Sequence, residues 1–561
     1  MKTNMAAWDV IVHYLQFLGL ETIFGLPSDD LKILSSLQSS DIRLIICKDQ
    51  RNSLFMASGY ALTSGQLAVC VVGKGPALTN TVTGLLEAHH LGAPLLLIAL
   101  GTGSDKLGTK AFQEADQLSL VKPLVKWAYR VEHPDRLVWA LEKAAFMAVN
   151  GGKGPVYLEL PEHIADQAVA VDFPFQPLER LSSSPSSRDL DTAWDMISQA
   201  SKPVLLIGGG MKPGTQGLIE SLAVKWGAAI FTTASGRGAI DEEHPLFCGV
   251  AGLYTDKSMR TIWQEADVVV SLGSRLEETA TFEWDVVLTH TPIVQVNVHL
   301  DDFSHQYRGV KVLGDGYLAA EHWLSRSLRQ PDRDWLARIA SCKEEAFRSK
   351  EAYIRQVGTM PHIHVSEVLD AMQAEFPDDC ILVQENGLQD MWSYFYPYYR
   401  FTGNRFSIVP SDQTSLGFGA AAAVGASLVD RRPVVALVGD GAFNLFQSDL
   451  ITAVRYRIPL IYIVMNNGGY GWLQYQLNQL ELPGEPFRFV SETPLEHMNV
   501  MQHDYVEQIV IQEKQELSEK LRLAFAQYQA NKLVVVIVPV AIEDVHDKIQ
   551  HIYGDFPVYE K

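Results

Sequence analysis

The stretch Pro433–Gly471, PVVALVGDGAFNLFQSDLITAVRYRIPLIYIVMNNGGYG, decides the fold. Its apolar runs Pro433–Val438 and Pro459–Met465 read as buried parallel strands with a helix between them. The first run ends in Gly439-Asp440-Gly441 and the second in Asn466-Asn467-Gly468-Gly469-Tyr470-Gly471. Both ends fall at the carboxyl edge of one sheet, where open α/β folds bind ligands. Glycines beside Asp440 let the backbone turn tightly and approach phosphate oxygens, and the following helix, with Ala442 in its first turn, points N–H groups at the anion. Asp440 and Asn467 offer hard oxygen ligands; with a carbonyl from the Gly469 turn and two phosphate oxygens they complete the octahedral shell of Mg2+. Asp-Gly or Asn-Gly alone is more often a turn, but two such pairs, each at a strand end, favour the ligand site.

Outward from this stretch the same pattern recurs. Leu67–Val72, Pro94–Leu100 and Pro155–Leu160 are apolar runs in an N-terminal unit, 1–175; Pro203–Ile207, Ala266–Leu272 and Pro292–Val298 belong to a central unit, 188–330. Ile381–Val383 and Leu533–Val538 join the two opening runs in a third unit, 357–550. The Ser/Pro-rich stretch Leu181–Ser187 is the linker candidate, and the polar helical stretch Asp332–Gln356 bridges to the third unit. The expected fold class is α/β, with three doubly wound parallel-sheet domains.

Composition sets limits. At 561 residues, with 47% hydrophobic and 20% charged residues, the chain is globular and large enough for several cores. A net charge of -20 without a basic cluster opposes a nucleic-acid partner. No apolar run reaches the length needed to cross a membrane. Five scattered cysteines without a CxxC read as buried, reduced thiols, so the expected location is the cytoplasm. Near the N-terminus, Ala7, Trp8, Ile11, Tyr14, Leu15 and Leu18 are spaced as one face of a packed helix.

Gly439-Asp440-Gly441 followed by Asn466-Asn467 resembles the signature of thiamine diphosphate enzymes of the acetolactate synthase, pyruvate decarboxylase and benzoylformate decarboxylase type. Gly73-Lys74-Gly75-Pro76-Ala77-Leu78-Thr79-Asn80, Ala111-Phe112-Gln113-Glu114-Ala115-Asp116, His244-Pro245-Leu246-Phe247 and Met391-Trp392 resemble acetolactate synthase segments in the same order. The resemblance implies pyrimidine-binding, central and diphosphate-binding domains, with active sites shared between subunits of a homodimer or homotetramer. It implies that Gly73, Pro76 and Asn80 line the pyrimidine pocket, and that Asn386, Gly387 and Gln389, with Gly439, Gly441, Ala442 and Tyr470, meet the diphosphate. Leu416 takes the place of the apolar residue that bends the cofactor, and the Thr414 carbonyl that of the acceptor for its amino group.

One feature of the family is missing. The glutamate that hydrogen-bonds the pyrimidine ring is replaced by Gln50, with Asp49 beside it. A glutamine amide can hydrogen-bond the ring nitrogen but cannot exchange a proton with it. Either activation proceeds in a less polar pocket, as the resemblance to glyoxylate carboligase permits, or turnover has been lost, or Asp49 reaches the ring by a register shift. Adjacent strand residues point to opposite faces, which argues against the shift.

Asp29, in the turn Phe24–Asp30, falls where pyruvate decarboxylases hold a catalytic aspartate, with Ser28 beside it in the substrate pocket; both also suit capping of a helix at Leu31–Leu37. Phe112 and Gln113 match the segment that faces the thiazolium, and Trp472 and Leu473 fall where relatives shape the pocket. His89 and His90 read as a helix C-terminus. In the central unit Gly208-Gly209-Gly210 and Arg275 fit FAD only in part, since Thr279 replaces a second arginine, so the reading is without FAD.

The expected activity is decarboxylation of a small 2-oxo acid with capture by a carbonyl acceptor, the cofactor serving as nucleophile and electron sink. Simple decarboxylation, a non-catalytic cofactor-binding partner or regulator, and a purely structural assembly protein are the alternatives; the last leaves Asp440 and Asn467 unexplained.

Overall fold

The computed structural model describes residues 2–27, 31–211, 214–327, 330–429, 431–489, 500–542, 544–546 and 549. Its contacts divide into two compact units. One comprises 1–181, 413–431 and 445–460; the other comprises 182–412, 432–444 and 461–561.

In the first unit, β1 (Lys2–Ala6) pairs antiparallel with β8 (Ala168–Asp172). A six-stranded parallel sheet is built from β2 (Thr22–Leu26), β3 (Arg43–Ile46), β4 (Ala68–Val72), β5 (Leu95–Gly101), β6 (Trp127–Arg130) and β7 (Val156–Pro161), in the order β3-β2-β4-β5-β7-β6. β4, β5 and β7 are buried along their whole length, which is why they read as unbroken apolar runs. The helix Ala7–Phe17 buries Ala7, Trp8, Ile11, Tyr14 and Leu15 as their spacing requires. β1, Lys-Thr-Asn-Met-Ala, carries no alternating apolar pattern and is a strand only because β8 offers it a partner.

The helices Gln50–Ser64 and Phe418–Ala426 cross closely within this unit. A Cβ on Gly59 would strike the Ala422 carbonyl and one on Gly425 the Met56 carbonyl, while Phe55 meets Phe418 edge-on at 5.6 Å.

The second unit holds two more six-stranded parallel sheets. β9 (Pro203–Ile207), β10 (Ala229–Thr232), β11 (Phe247–Val250), β12 (Val268–Leu272), β13 (Ile293–Asn297) and β14 (Gly309–Leu313) run in the order β11-β10-β9-β12-β13-β14. β15 (Ile381–Gln384), β16 (Phe406–Ile408), β17 (Val434–Gly439), β18 (Ile461–Asn466), β19 (Val506–Val510) and β20 (Leu533–Pro539) run in the order β16-β15-β17-β18-β20-β19. The protein is therefore α/β with three doubly wound parallel sheets. The helix Arg333–Gly358 opens on Asp332, whose carboxylate accepts from the Asp334 and Trp335 amides. A fully buried Arg237–Glu242 pair ties the central sheet to the third: Arg237 donates to the Ser393 and Tyr399 carbonyls, and the Phe401 amide donates to Glu242. All five cysteines are buried and unpaired. Among the described residues no helix is long and apolar enough to cross a membrane.

Candidate cofactor and metal site

β17 ends at Gly439 and Asp440 opens the helix Asp440–Arg455; β18 ends at Asn466. These neighbouring strands bring the two loops together. Asp440 is 4% exposed, and its two carboxylate oxygens accept from the Gly441 and Gly468 amides, each at 2.8 Å. Asn467 Oδ1 accepts from the Gly469 amide at 3.1 Å. Burial pushes the Asp440 carboxyl up to about 6 while these amides pull it down, so a cation beside it would relieve an otherwise unfavourable buried charge.

The loop is itself held from behind. The Tyr470 amide donates to the Phe487 carbonyl at 2.8 Å and the Phe489 amide to the Gly468 carbonyl at 2.7 Å. A Cβ on Gly471 would lie 2.7 Å from Asn467 Nδ2 and 2.9 Å from Leu388, and one on Gly441 2.7 Å from the Tyr470 ring. Among the described residues no three His, Cys, Asp or Glu side chains gather as a metal cluster. The donor set of one carboxylate, one amide and backbone oxygens fits a hard cation such as Mg2+.

Across β15, Asn386 and Gly387 precede the helix Leu388–Tyr394, and Asp390 accepts from the Gly387 amide at 3.0 Å. Gln389 Nε2 donates to the Glu385 carbonyl at 2.8 Å, which turns its side chain toward Gly387 and Gly439. Asn386, Gly387, Gln389, Gly439, Gly441, Tyr470, Asp440, Asn467 and Gly469 thus share one edge of one sheet. Ala442 is buried in the first turn behind it.

The residues expected at the pyrimidine lie in the other unit. Gln50 is the first residue of its helix, and Asn80 Nδ2 donates to Gln50 Oε1 at 3.0 Å. Asp49 is not on a strand, contrary to the reasoning from sequence. β3 stops at Ile46, and Asp49 caps the helix by accepting from the Arg51 amide at 2.8 Å, so helix capping rather than strand alternation commits its carboxylate. Pro76 starts a short helix ending at Thr79, just before Asn80. Gly73 is buried, and Pro76 and Asn80 are exposed.

Gly75, at φ 58, touches the backbone of Gln113, at φ 57; its amide donates to Gln117 Oε1 at 2.7 Å. Gln113 Oε1 is buried without a hydrogen-bond partner among the described residues, and Phe112 is 73% exposed. Thr414 holds φ 46, and the next amide, of Ser415, donates to the buried Glu87 at 3.1 Å; Leu416 is half-buried. Trp472 stacks on Tyr475 at 5.8 Å and Leu473 is 40% exposed. His89 and His90 occupy the last turn of the helix Val82–Leu91. Ser28 and Asp29 lie outside the described residues; the helix after them is Lys32–Gln38, with Leu31 at its N-cap and no side-chain cap. In the central sheet, a Cβ on Gly208 would strike the Gly273 carbonyl, so strand-end packing accounts for that glycine.

Several supporting residues were not singled out from sequence. Asp449 accepts from the Lys48 and Asp49 amides, Asn52 and Thr452; Gln117, Asp390 and Glu87 fix three further loops. A lone acid within an apolar helical run, as in Leu85-Leu86-Glu87-Ala88, is the available signal, because a buried charge demands a partner. The contact of Ile542 with Gly469 and Gly471 has no local signal at all.

Three family models match in order: the thiamine pyrophosphate enzyme N-terminal TPP binding domain at residues 5–120, central domain at 190–322 and C-terminal TPP binding domain at 386–538. The acetolactate synthase isozyme 2 large subunit of Escherichia coli (strain K12) is 27% identical over 479 residues, covering 84% of each chain. The acetolactate synthase large subunit of Lactococcus lactis subsp. lactis is 26% identical, covering 83% of this chain and 81% of its own. A probable acetolactate synthase large subunit of Methanocaldococcus jannaschii is 24% identical over 551 residues, covering 95% of this chain and 92% of its own.

Proposed function

The chain belongs to the thiamine pyrophosphate enzyme family, and we propose that it is a Mg2+-dependent carboligase that decarboxylates a small 2-oxo acid and joins the remaining fragment to a carbonyl acceptor. The observation that carries this is the pair of oxygen ligands, Asp440 and Asn467, each oriented by a backbone amide of the same glycine turn. In this reading Asp440, Asn467 and the Gly469 carbonyl hold Mg2+. Asn386, Gly387, Gln389, Gly439, Gly441, Ala442 and Tyr470 surround the diphosphate. Gly73, Pro76 and Asn80 line the pyrimidine pocket, the Thr414 carbonyl accepts from its amino group, and Leu416 supports the bend.

When bound, thiamine diphosphate supplies the nucleophilic carbon and the electron sink for loss of CO2. The protein's own share is positioning and exclusion of water. Gln50 orients the pyrimidine without trading a proton with it. Gln113, whose buried carbonyl oxygen has no partner among the described residues, and the exposed Phe112 ring suit a polar and an apolar contact with substrate. Ser28, Asp29, Trp472 and Leu473 complete the pocket in this proposal. The active form is a cytoplasmic homodimer or homotetramer with sites shared between copies, and it carries no FAD. A fully active particle at the single-chain mass of 62.4 kDa, or a flavin absorption band in the purified protein, contradicts these two points.

The replacement of the activating carboxylate by Gln50 favours a second reading, a non-catalytic cofactor-binding partner. Purified protein with thiamine diphosphate and Mg2+, presented with a panel of 2-oxo acids with and without carbonyl acceptors, separates them through CO2 release and product mass. CO2 with a coupled product, absent in Asp440→Ala, supports the carboligase. CO2 with a free aldehyde indicates simple decarboxylation, and cofactor binding without turnover supports the partner reading.

A further inference from the structure

The chain leaving β20 runs along the glycine turn that carries the proposed metal ligands. The Val540 amide donates to the Asn466 carbonyl at 3.1 Å, one residue before Asn467. Ile542 then packs against the turn itself. A Cβ on Gly469 would lie 2.9 Å from Ile542 Cδ1, and one on Gly471 would strike the Ile542 carbonyl. Glycine at both positions admits this approach.

Ile542 belongs to no helix or strand, so its place has to be fixed from beyond it. Asp544, 4% exposed, supplies the anchor. Its Oδ2 accepts from the Val365 amide at 2.7 Å, at the start of the helix Val365–Glu375, and its Oδ1 lies 2.6 Å from His364 Nε2. The Asp544 carbonyl accepts from Trp392 Nε1 at 2.8 Å. His546 stacks on Phe395, with ring centroids 3.7 Å apart and planes 9° from parallel. Trp392 belongs to the helix Leu388–Tyr394, whose first residue also meets Gly471, so anchor and turn share one support. A carboxylate is costly to bury, and here its partners lie at the end of an irregular stretch, where the bonds fix the path of the chain.

Resting on the thiamine diphosphate reading above, we infer that Asp544 is a positioning residue for the metal site. It latches the chain beyond β20 to His364, Val365 and Trp392, and thereby holds Ile542 as the backstop of the Gly469 turn. On one flank that turn is hydrogen-bonded to Phe487 and Phe489; on the other it is met by Ile542. Octahedral Mg2+ tolerates little departure from its geometry, so a turn that loses one flank offers Asn467 and the Gly469 carbonyl at the wrong distances.

The test begins with full-length protein free of cofactor. Hydrogen exchange is followed by mass spectrometry in peptides covering 466–471, with β9 as the reference for global opening. In Asp544→Ala the Gly468, Gly469 and Tyr470 amides exchange at least about tenfold faster relative to β9, the worth of one lost buried hydrogen bond. Mg2+ titrated calorimetrically into the variant with excess thiamine diphosphate binds about tenfold more weakly, the low end for a group acting from outside the ligand shell. Asp544→Asn keeps an oxygen for the Val365 amide and restores both values. Ile542→Ala leaves the latch closed but removes the backstop; it shows the same two losses, and it decides alone if Asp544→Ala does not fold.

Exchange at 468–470 rising no more than at β9, or Mg2+ affinity unmoved in both alanine variants, overturns the inference and leaves the cofactor reading intact. A wild type that takes up no thiamine diphosphate with Mg2+ overturns both together.

Discussion

The stretch proposed for the diphosphate and the stretch proposed for the pyrimidine, each in its own unit, are built on opposite principles. In the first, the proposed ligands Asp440 and Asn467 are oriented by backbone amides of the Gly468-Gly469 turn, and close approach is enforced at Gly441 and Gly471. In the second, Gln50 is met by another side chain, Asn80, on a turn pinned by Asp449. Backbone geometry survives substitution of neighbouring side chains, whereas a side-chain pair can be reversed by one replacement. The expectation is a site whose binding half follows its family while its activating half has been changed.

Substitutions on each side sharpen or break this contrast. The largest effect belongs to Asp440→Ala, which removes the charged member of the proposed ligand set. It lowers thiamine diphosphate affinity in the presence of Mg2+ by more than about 100-fold, beyond the cost of losing an outer-shell partner, as titration calorimetry would register. Asp449→Ala leaves the Lys48 and Asp49 amides and Asn52 without their acceptor. It destabilises the first unit by about 3 kcal/mol in urea unfolding, with diphosphate affinity nearly kept. A drop in affinity as deep as that of Asp440→Ala would erase the contrast.

Gly471→Ala forces a Cβ against Asn467 and Leu388 and costs about 1–3 kcal/mol by overpacking, with a matching loss of Mg2+-dependent binding. A further effect is a slope. Burial holds Asp390 up at about 7 against an ordinary 3.8. The unfolded chain releases this proton first, so between those values the folded protein binds more protons than the unfolded one. Stability without cofactor then falls as pH rises from about 4 to about 7. Asp390→Asn removes that part of the slope, as urea midpoints across the range would show.

Much of this was readable before any coordinates. The runs that became β4, β5, β7, β17 and β18 are buried on both faces of parallel sheets, so burial alone writes them as apolar stretches. Their ends placed Asp440 and Asn467. β1 was not readable, because only its pairing with β8 makes it a strand. The strand placement of Asp49 failed, though not the expectation that it stays off the ring, because the chain leaves β3 at Ile46 and turns straight into a capped helix. The contacts of Gln50 with Asn80 and of Ile542 with Gly469 join residues distant in sequence, and no local propensity encodes them.

The most direct measurement of the central claim compares the wild type with Gln50→Glu for two quantities in the same samples: the affinity for thiamine diphosphate with Mg2+, and the rate at which the reactive thiazolium C–H of the bound cofactor exchanges with deuterium. Equal affinities with exchange about 100- to 10,000-fold slower in the wild type, the usual worth of a positioned acid–base group, is the predicted result. Equal exchange rates at equal affinity would contradict the account, since Gln50 would then have altered nothing in activation.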